Sequence, residues 1–183
     1  IDKGMPAATV AASTHPEAAE AVQYLFASDV FRVYRSPDPL GAELGGTLKN
    51  IIAIAVGVCE GLNLGSNARS ALMTRALPEM IRIGTHLGGQ ADTFVGLSGL
   101  GDMLATCTSS LSRNYRVGYG LAQGKSLDQI LDEIGSTAEG VNTRETSSSD
   151  LHGQLQPKSF CYTKACCGYF RYSSNKRCRS RQG

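Results

Sequence analysis

Between Thr47 and Leu62 the apolar residues Leu48, Ile51, Ile52, Ala55, Val56, Cys59 and Leu62 recur every three or four positions. That period commits the stretch to a helix with a broad buried face. A second stripe follows in Ala68, Leu72, Ala76, Met80, Ile81 and Leu87, so the first helix has a neighbour to bury it. Gly61 or Gly65 should separate the two, Pro78 should kink or interrupt the second, and Gly88-Gly89 should end it. Further on, Ser126-Leu127-Asp128-Gln129 has the form of a capping box. Leu127, Ile130, Leu131 and Ile134 supply its apolar face, and Gly135 closes it. The body of the chain is therefore expected to be mainly α.

The amino-terminal end has a different rhythm. Thr9-Val10-Ala11-Ala12-Ser13 and Phe31-Arg32-Val33-Tyr34 read as strands. Between them His15-Pro16-Glu17 opens a helix, with Pro in its first turn and an acidic side chain near its positive end. Ala18, Ala21, Val22, Leu25 and Phe26 form that helix's apolar face. This β-α-β unit is the pattern of an α/β sheet, and Ser36-Pro37-Asp38-Pro39 marks its boundary with the helical part. The expected division is residues 1–38, 39–146 and 147–183. The first residue is Ile, so the natural start is expected upstream.

Charge and composition break at the same third boundary. Residues 147–183 hold seven Lys or Arg and one acidic residue, Asp150, which leaves eleven basic and fifteen acidic residues in the body. An acidic body argues against a nucleic-acid partner. The tail has Leu151 and Leu155 as its only large aliphatics, so it is expected to be disordered or to stem from a shifted reading frame. Its cysteines, Cys161, Cys166, Cys167 and Cys178, contain no Cys-x2-Cys pair, and no metal site is expected. Cys59 and Cys107 lie far apart in the body and suit a reducing compartment, hence the cytoplasm. The longest unbroken apolar run, Ile51 to Val56, is too short for a membrane span, and no signal peptide opens the chain.

Three segments could carry chemistry. Leu44-Gly45-Gly46-Thr47-Leu48-Lys49-Asn50 places Lys49 beside the apolar stripe on a rigid helix, where an ammonium could meet a substrate carbonyl. By spacing alone a solvated surface Lys is the commoner outcome, although paired glycines allow another backbone to approach closely. Gly96-Leu97-Ser98-Gly99-Leu100-Gly101-Asp102 fails as a dinucleotide fingerprint, because Leu104 stands where the third Gly belongs. It reads as a flexible loop presenting Asp102, which taken alone is more often a helix cap than a ligand contact. Thr106-Cys107-Thr108-Ser109 with Ser112-Arg113-Asn114 could cradle an anion at a helix start, or could equally be a Ser-rich turn that caps the helix.

In this order the three segments, continued by Gln123-Gly124-Lys125-Ser126 and Glu139-Gly140, resemble the bacterial NAD(P)-dependent glycerol-3-phosphate dehydrogenases, from about residue 5 to about residue 145. The resemblance implies a helical domain of the 6-phosphogluconate-dehydrogenase carboxy-terminal type, preceded by the end of a Rossmann sheet. It implies interconversion of dihydroxyacetone phosphate and sn-glycerol 3-phosphate with NAD or NADP, supplying glycerophospholipid synthesis, by a homodimer. Lys49 matches the family's catalytic Lys. Lys49, Asp102, Ser112, Arg113 and Asn114 match its substrate contacts. Arg113, Thr137 and Glu139 match nucleotide contacts, Thr137 standing where the family usually has Val. No G-x-G-x-x-G occurs in the sequence, and the tail stands where the family's last helices should follow. Two other readings keep the helical fold: a related hydroxyacyl-CoA, 6-phosphogluconate or UDP-glucose dehydrogenase, and a non-catalytic module that binds a phosphometabolite or dimerises.

Overall fold

The computed structural model describes residues 4–135. All of these fall in one compact unit, Ile1–Arg144. Thr137, Glu139 and the 147–183 tail lie outside the described residues.

The β-α-β unit forms as the pattern demands. Strands β1 (Ala7–Ala12) and β2 (Phe31–Ser36) pair in parallel, with Ala7 opposite Phe31 and Ala12 opposite Ser36. Helix α1 (Pro16–Phe26) connects them, and its Gln23 amide donates to the Val33 carbonyl at 2.6 Å. The expected apolar face of α1 is not the buried one. Ala19 is buried, whereas Leu25 is 73% and Phe26 61% exposed. Two strands are too narrow to cover both sides of a helix; they take the Ala19–Gln23 side and leave the Val22, Leu25, Phe26 stripe in solvent.

Helix α2 (Pro39–Gly61) is the centre of the rest. Pro39 takes the first helical position, where its missing N–H costs nothing. Leu62, Asn63 and Leu64 turn the chain, with Asn63 left-handed at φ 53°, an angle Asn tolerates. Helix α3 (Gly65–His86) packs back along α2 and runs through Pro78 without interruption, burying Ala76, Met80 and Gly84. Gly88 turns the chain at φ 102°, beyond the helix end. Then come the short α4 (Ala91–Val95), one π-helical turn (Leu97–Gly101), and α5 (Asp102–Thr108). Helices α6 (Arg113–Ala122) and α7 (Leu127–Ile134) follow. The Ser126–Gln129 capping box and left-handed Gly135 at φ 70° bound α7 where the sequence places them.

Glycine sets how closely α2 and α6 approach. A Cβ on Gly57 would strike the Tyr115 carbonyl, and one on Gly118 would strike the Ile54 carbonyl. A Cβ on Gly61 would meet Ala122 and the Tyr119 carbonyl. Val56, Met80, Phe94, Met103, Cys107 and Val117 fill the interior around these crossings. Among the described residues α2 alone is long and apolar enough to cross a membrane. Its packing against α3, α5 and α6 accounts for that hydropathy as a core helix.

The bare side of α1 gives the first prediction. Leu25→Lys with Phe26→Lys should reduce binding of the dye ANS while leaving Tm within about 2 °C, since exposed substitutions usually stay within about 0.5 kcal/mol. A large fall in Tm would mean that those side chains are packed.

Candidate functional site

Lys49 lies at the middle of α2, next to the central Asn50, on the side that faces the π-turn and α5. Its ammonium pairs with the Asp102 carboxylate, Nζ to Oδ2. The Lys49 side chain is only 18% exposed and that of Asp102 40%. The surface-lysine expectation is therefore overturned: α2 is so deeply embedded that a residue flanking its apolar stripe is still covered. Asp102 is not a helix cap. It is the first residue of α5, preceded by Gly101 at the cap position, and its Oδ1 accepts from the Thr106 hydroxyl at 3.4 Å. Nor does a flexible loop present it, because the segment before it closes into the π-turn with a bond from the Gly101 amide to the Gly96 carbonyl at 3.1 Å.

The two halves of the pair are held together by close backbone packing. A Cβ on Gly45 would lie 2.5 Å from the Ser98 carbonyl oxygen and 3.4 Å from Gly99 Cα. Gly46 has nothing within 4 Å of such a Cβ. Of the paired glycines, then, only Gly45 admits a backbone neighbour. Phe94, fully buried, wedges beneath the turn, and Gly84, Gly89 and Gly99 all abut it.

Ser112 bears out the capping reading of its segment. It is the cap of α6, its hydroxyl accepting from the Tyr115 amide at 3.3 Å, and it thereby sits where the helix presents its positive end. Arg113 is exposed at the first helical position, and Asn114 is buried behind it. The contact of Tyr115 with Gly57 puts this helix start about two turns beyond Lys49 along α2. Asn50, next to Lys49 and also buried, was not singled out in the sequence; a polar residue inside an apolar stripe was the available signal. Arg69 steadies the same end of α6 from behind, ion-pairing Glu60 at 2.5 Å and hydrogen-bonding Tyr115.

Cys107 lies against this site but is chemically quiet. Burial pushes its thiol up to about 12, and the nearby Lys49 ammonium offsets only part of that. That burial disfavours the thiolate a nucleophilic role would need. Among the described residues no group of three His, Cys, Asp or Glu could hold a metal ion.

The family described as "NAD-dependent glycerol-3-phosphate dehydrogenase C-terminus" matches residues 38–153. The chain belongs to this family. It is 73% identical over 143 residues to the glycerol-3-phosphate dehydrogenase [NAD(P)+] of Acaryochloris marina, covering 78% of this chain and 46% of that protein. The enzyme of the same name from a Synechocystis species is 68% identical over 145 residues, 79% of this chain and 46% of that one. The chain thus spans about half the length of the curated relatives it matches. Among solved structures, the Coxiella burnetii glycerol-3-phosphate dehydrogenase superposes with a TM-score of 0.80 at 37% identity, over 90% of this chain and 51% of that one. The Saccharomyces cerevisiae glycerol-3-phosphate dehydrogenase gives 0.79 at 25% identity, over 90% and 50%. The expected helical fold with its β-α-β beginning is the fold these structures share.

The glycine pair gives a matched prediction. Gly45→Ala should lower unfolding stability by about 1–3 kcal/mol, because Ser98 is backbone and cannot yield. Gly46→Ala should raise it by roughly 0.5–1 kcal/mol through helix propensity. Urea unfolding of both variants checks this, and equal effects would mean that the α2–turn contact does not bear on stability.

Proposed function

We propose that this chain is the substrate-binding half of an enzyme that interconverts dihydroxyacetone phosphate and sn-glycerol 3-phosphate with NAD or NADP. The observation that carries the reading is the Lys49–Asp102 pair, on two packed helices and about two turns along α2 from the capped start of α6. Residues 1–38 are then the end of a nucleotide-binding domain and residues 39–146 the substrate domain, and the bare apolar side of α1 is what such a division would leave uncovered. A cytoplasmic homodimer completes the proposal. Two free thiols in the body suit a reducing compartment, and light scattering of the full-length enzyme tests the dimer.

The chemistry suits the residue types. When bound, the nicotinamide supplies a hydride to, or accepts one from, C2 of the substrate. Reduction builds negative charge on the C2 oxygen, which the Lys49 ammonium can stabilise and protonate; in the oxidative direction the neutral amine takes that proton back. Asp102 holds the ammonium in register until the substrate oxygen replaces part of that contact. The substrate phosphate needs positive partners, and Arg113 together with the amides at the start of α6 offers them. The exposed Arg113 also has the chemistry to meet a cofactor phosphate. With no G-x-G-x-x-G in the sequence, this chain can contribute only side contacts of that kind.

Two outcomes test the proposal. The purified chain alone should show no oxidation of NADH or NADPH that depends on dihydroxyacetone phosphate; turnover by it would overturn the assignment of cofactor binding to another half. In a full-length enzyme completed with the amino-terminal half of the Acaryochloris marina relative, Lys49→Ala should lower kcat by roughly 10²-fold or more. Arg113→Ala should mainly raise the KM for dihydroxyacetone phosphate, because it removes a contact made before and during reaction. A Lys49→Ala enzyme within about twofold of the parent would sink the catalytic assignment, since losing a general acid costs more than that.

A further inference from the structure

Asp38 has the most demanding environment of any carboxylate among the described residues, and the proposed chemistry does not use it. It is 5% exposed. Its Oδ1 accepts from the Gly41 amide at 2.8 Å, capping α2. Its Oδ2 accepts from the Gln90 amide at 2.8 Å and from the Thr93 hydroxyl at 2.7 Å, capturing the start of α4 from more than fifty residues away. Its own amide donates to the Ser36 hydroxyl at the end of β2, at 3.2 Å. The carboxylate therefore joins two helices, α2 and α4, and the residue's backbone amide adds the end of β2. Burial pushes its carboxyl upward, but the bonds from Gln90, Gly41 and Thr93 together outweigh that and leave it below the ordinary value. It stays ionised at the positive end of α2, where a negative charge is favoured.

What it joins are the two arms that carry Lys49 and Asp102. One arm is α2, running eleven residues from Asp38 to Lys49, about 16 Å at the helical rise. The other runs from Gln90 through α4 and the π-turn to Asp102. They touch at three levels: Asp38 with Gln90 and Thr93, Gly45 with Ser98, and Lys49 with Asp102. The middle level is van der Waals backbone contact that sets spacing but not the offset of one arm along the other. The outer level is partly exposed and weak on that account. Only the Asp38 end is both directional and buried.

We propose that Asp38 is a positioning residue: its carboxylate locks the start of α4 to the start of α2 and so sets the offset that brings Asp102 opposite Lys49. The proposal rests on the reading of Lys49 and Asp102 as the reacting end of the site. Its test reads geometry rather than turnover, so it can fail while the dehydrogenase assignment stands, and the reverse.

Asp38→Asn is the sharp variant. Asn remains a good helix cap, so its oxygen should stay with Gly41. Its NH2 then faces the Gln90 N–H, donor against donor, and α4 loses its acceptor while α2 keeps its own. In the 183-residue chain, hydrogen exchange of residues 90–102 should rise by about tenfold, with residues 39–61 and 113–134 unchanged. Acetylation of Lys49 by sulfo-NHS-acetate, read by peptide mass spectrometry against the exposed Lys125, should rise by a similar factor of about ten, as the covering arm loosens. Thr93→Val should move both readouts in the same direction by less, and Thr93→Ser, which keeps the hydroxyl, should behave as the parent. The proposal is overturned if both readouts stay within about twofold of the parent in Asp38→Asn and Thr93→Val, or if exchange rises alike in all helices. Should Asp38→Asn not fold, Thr93→Val decides against Thr93→Ser: a loosened Lys49 in the first alone supports the lock, and no difference overturns it.

Discussion

Everything at the site depends on two backbones meeting without side chains between them. Lys49 and Asp102 are far apart in sequence, and their arms come within reach because α2 presents Gly45 where the π-turn presents the Ser98 carbonyl. The π-turn itself is laid over Phe94, with Gly99 pressed against that residue's backbone and Gly84 and Gly89 against its ring. Burying a Phe side chain contributes about 1.5–3 kcal/mol, so the wedge stabilises as well as shapes the turn. A wide π-turn is a costly local choice, and such turns are found mostly where a helix is bent for function. Here it re-aims the chain so that α5 begins with its acidic residue toward α2.

The second glycine-lined crossing does for α6 what the first does for α5. With Gly57 and Gly61 on one helix and Gly118 on the other, the axes come near enough for carbonyls to touch the facing backbone. The start of α6 is thereby held at a fixed height along α2, and Ser112, Arg113 and Asn114 come with it. The Glu60–Arg69–Tyr115 cluster closes that end. The proposed substrate, with its phosphate and carbonyl on neighbouring carbons, would need this kind of fixed separation, since a site misplaced by 1 Å loses roughly 10²-fold in rate.

Much of this was legible in the sequence where local chemistry decides. The capping box and Gly135 bound α7 correctly because both signals act within one helical turn. The β-α-β unit was legible for the same reason, although the face that α1 buries was not, since a pair of strands covers only the Ala19–Gln23 side. The importance of Lys49 was hidden from spacing: a residue flanking a helix stripe is covered or bare according to what packs there, and the covering element begins some fifty residues later. The two glycines at 45 and 46 look alike in sequence, and only the Ser98 carbonyl distinguishes them. Asp38 looked like punctuation in a Pro-flanked turn. Its capping of α2 follows from Asp-Pro at a helix start, but its bonds to Gln90 and Thr93 are long-range and leave no local trace.

The unequal burial of Asp38 and Asp102 suits their different tasks. A carboxylate that must part from its ammonium during a reaction cannot be deeply buried, because breaking a buried pair costs about 3–5 kcal/mol. Asp102, with a side chain 40% exposed, is in a position where water can replace the lost partner and the pair contributes about 1 kcal/mol or less. In the proposed reaction Lys49 would therefore turn to a substrate oxygen at small cost, its backbone held by the packing of α2 while Asp102 orients only its ammonium. Asp38 has the opposite character: buried, saturated with donors and, among the described residues, without a salt-bridged cation. Its bonds need never break in a catalytic cycle, so depth adds strength without slowing any step. A rigid anchor at one end of two arms and an exchangeable ion pair at the other is an arrangement in which stability and reactivity do not compete for the same contacts.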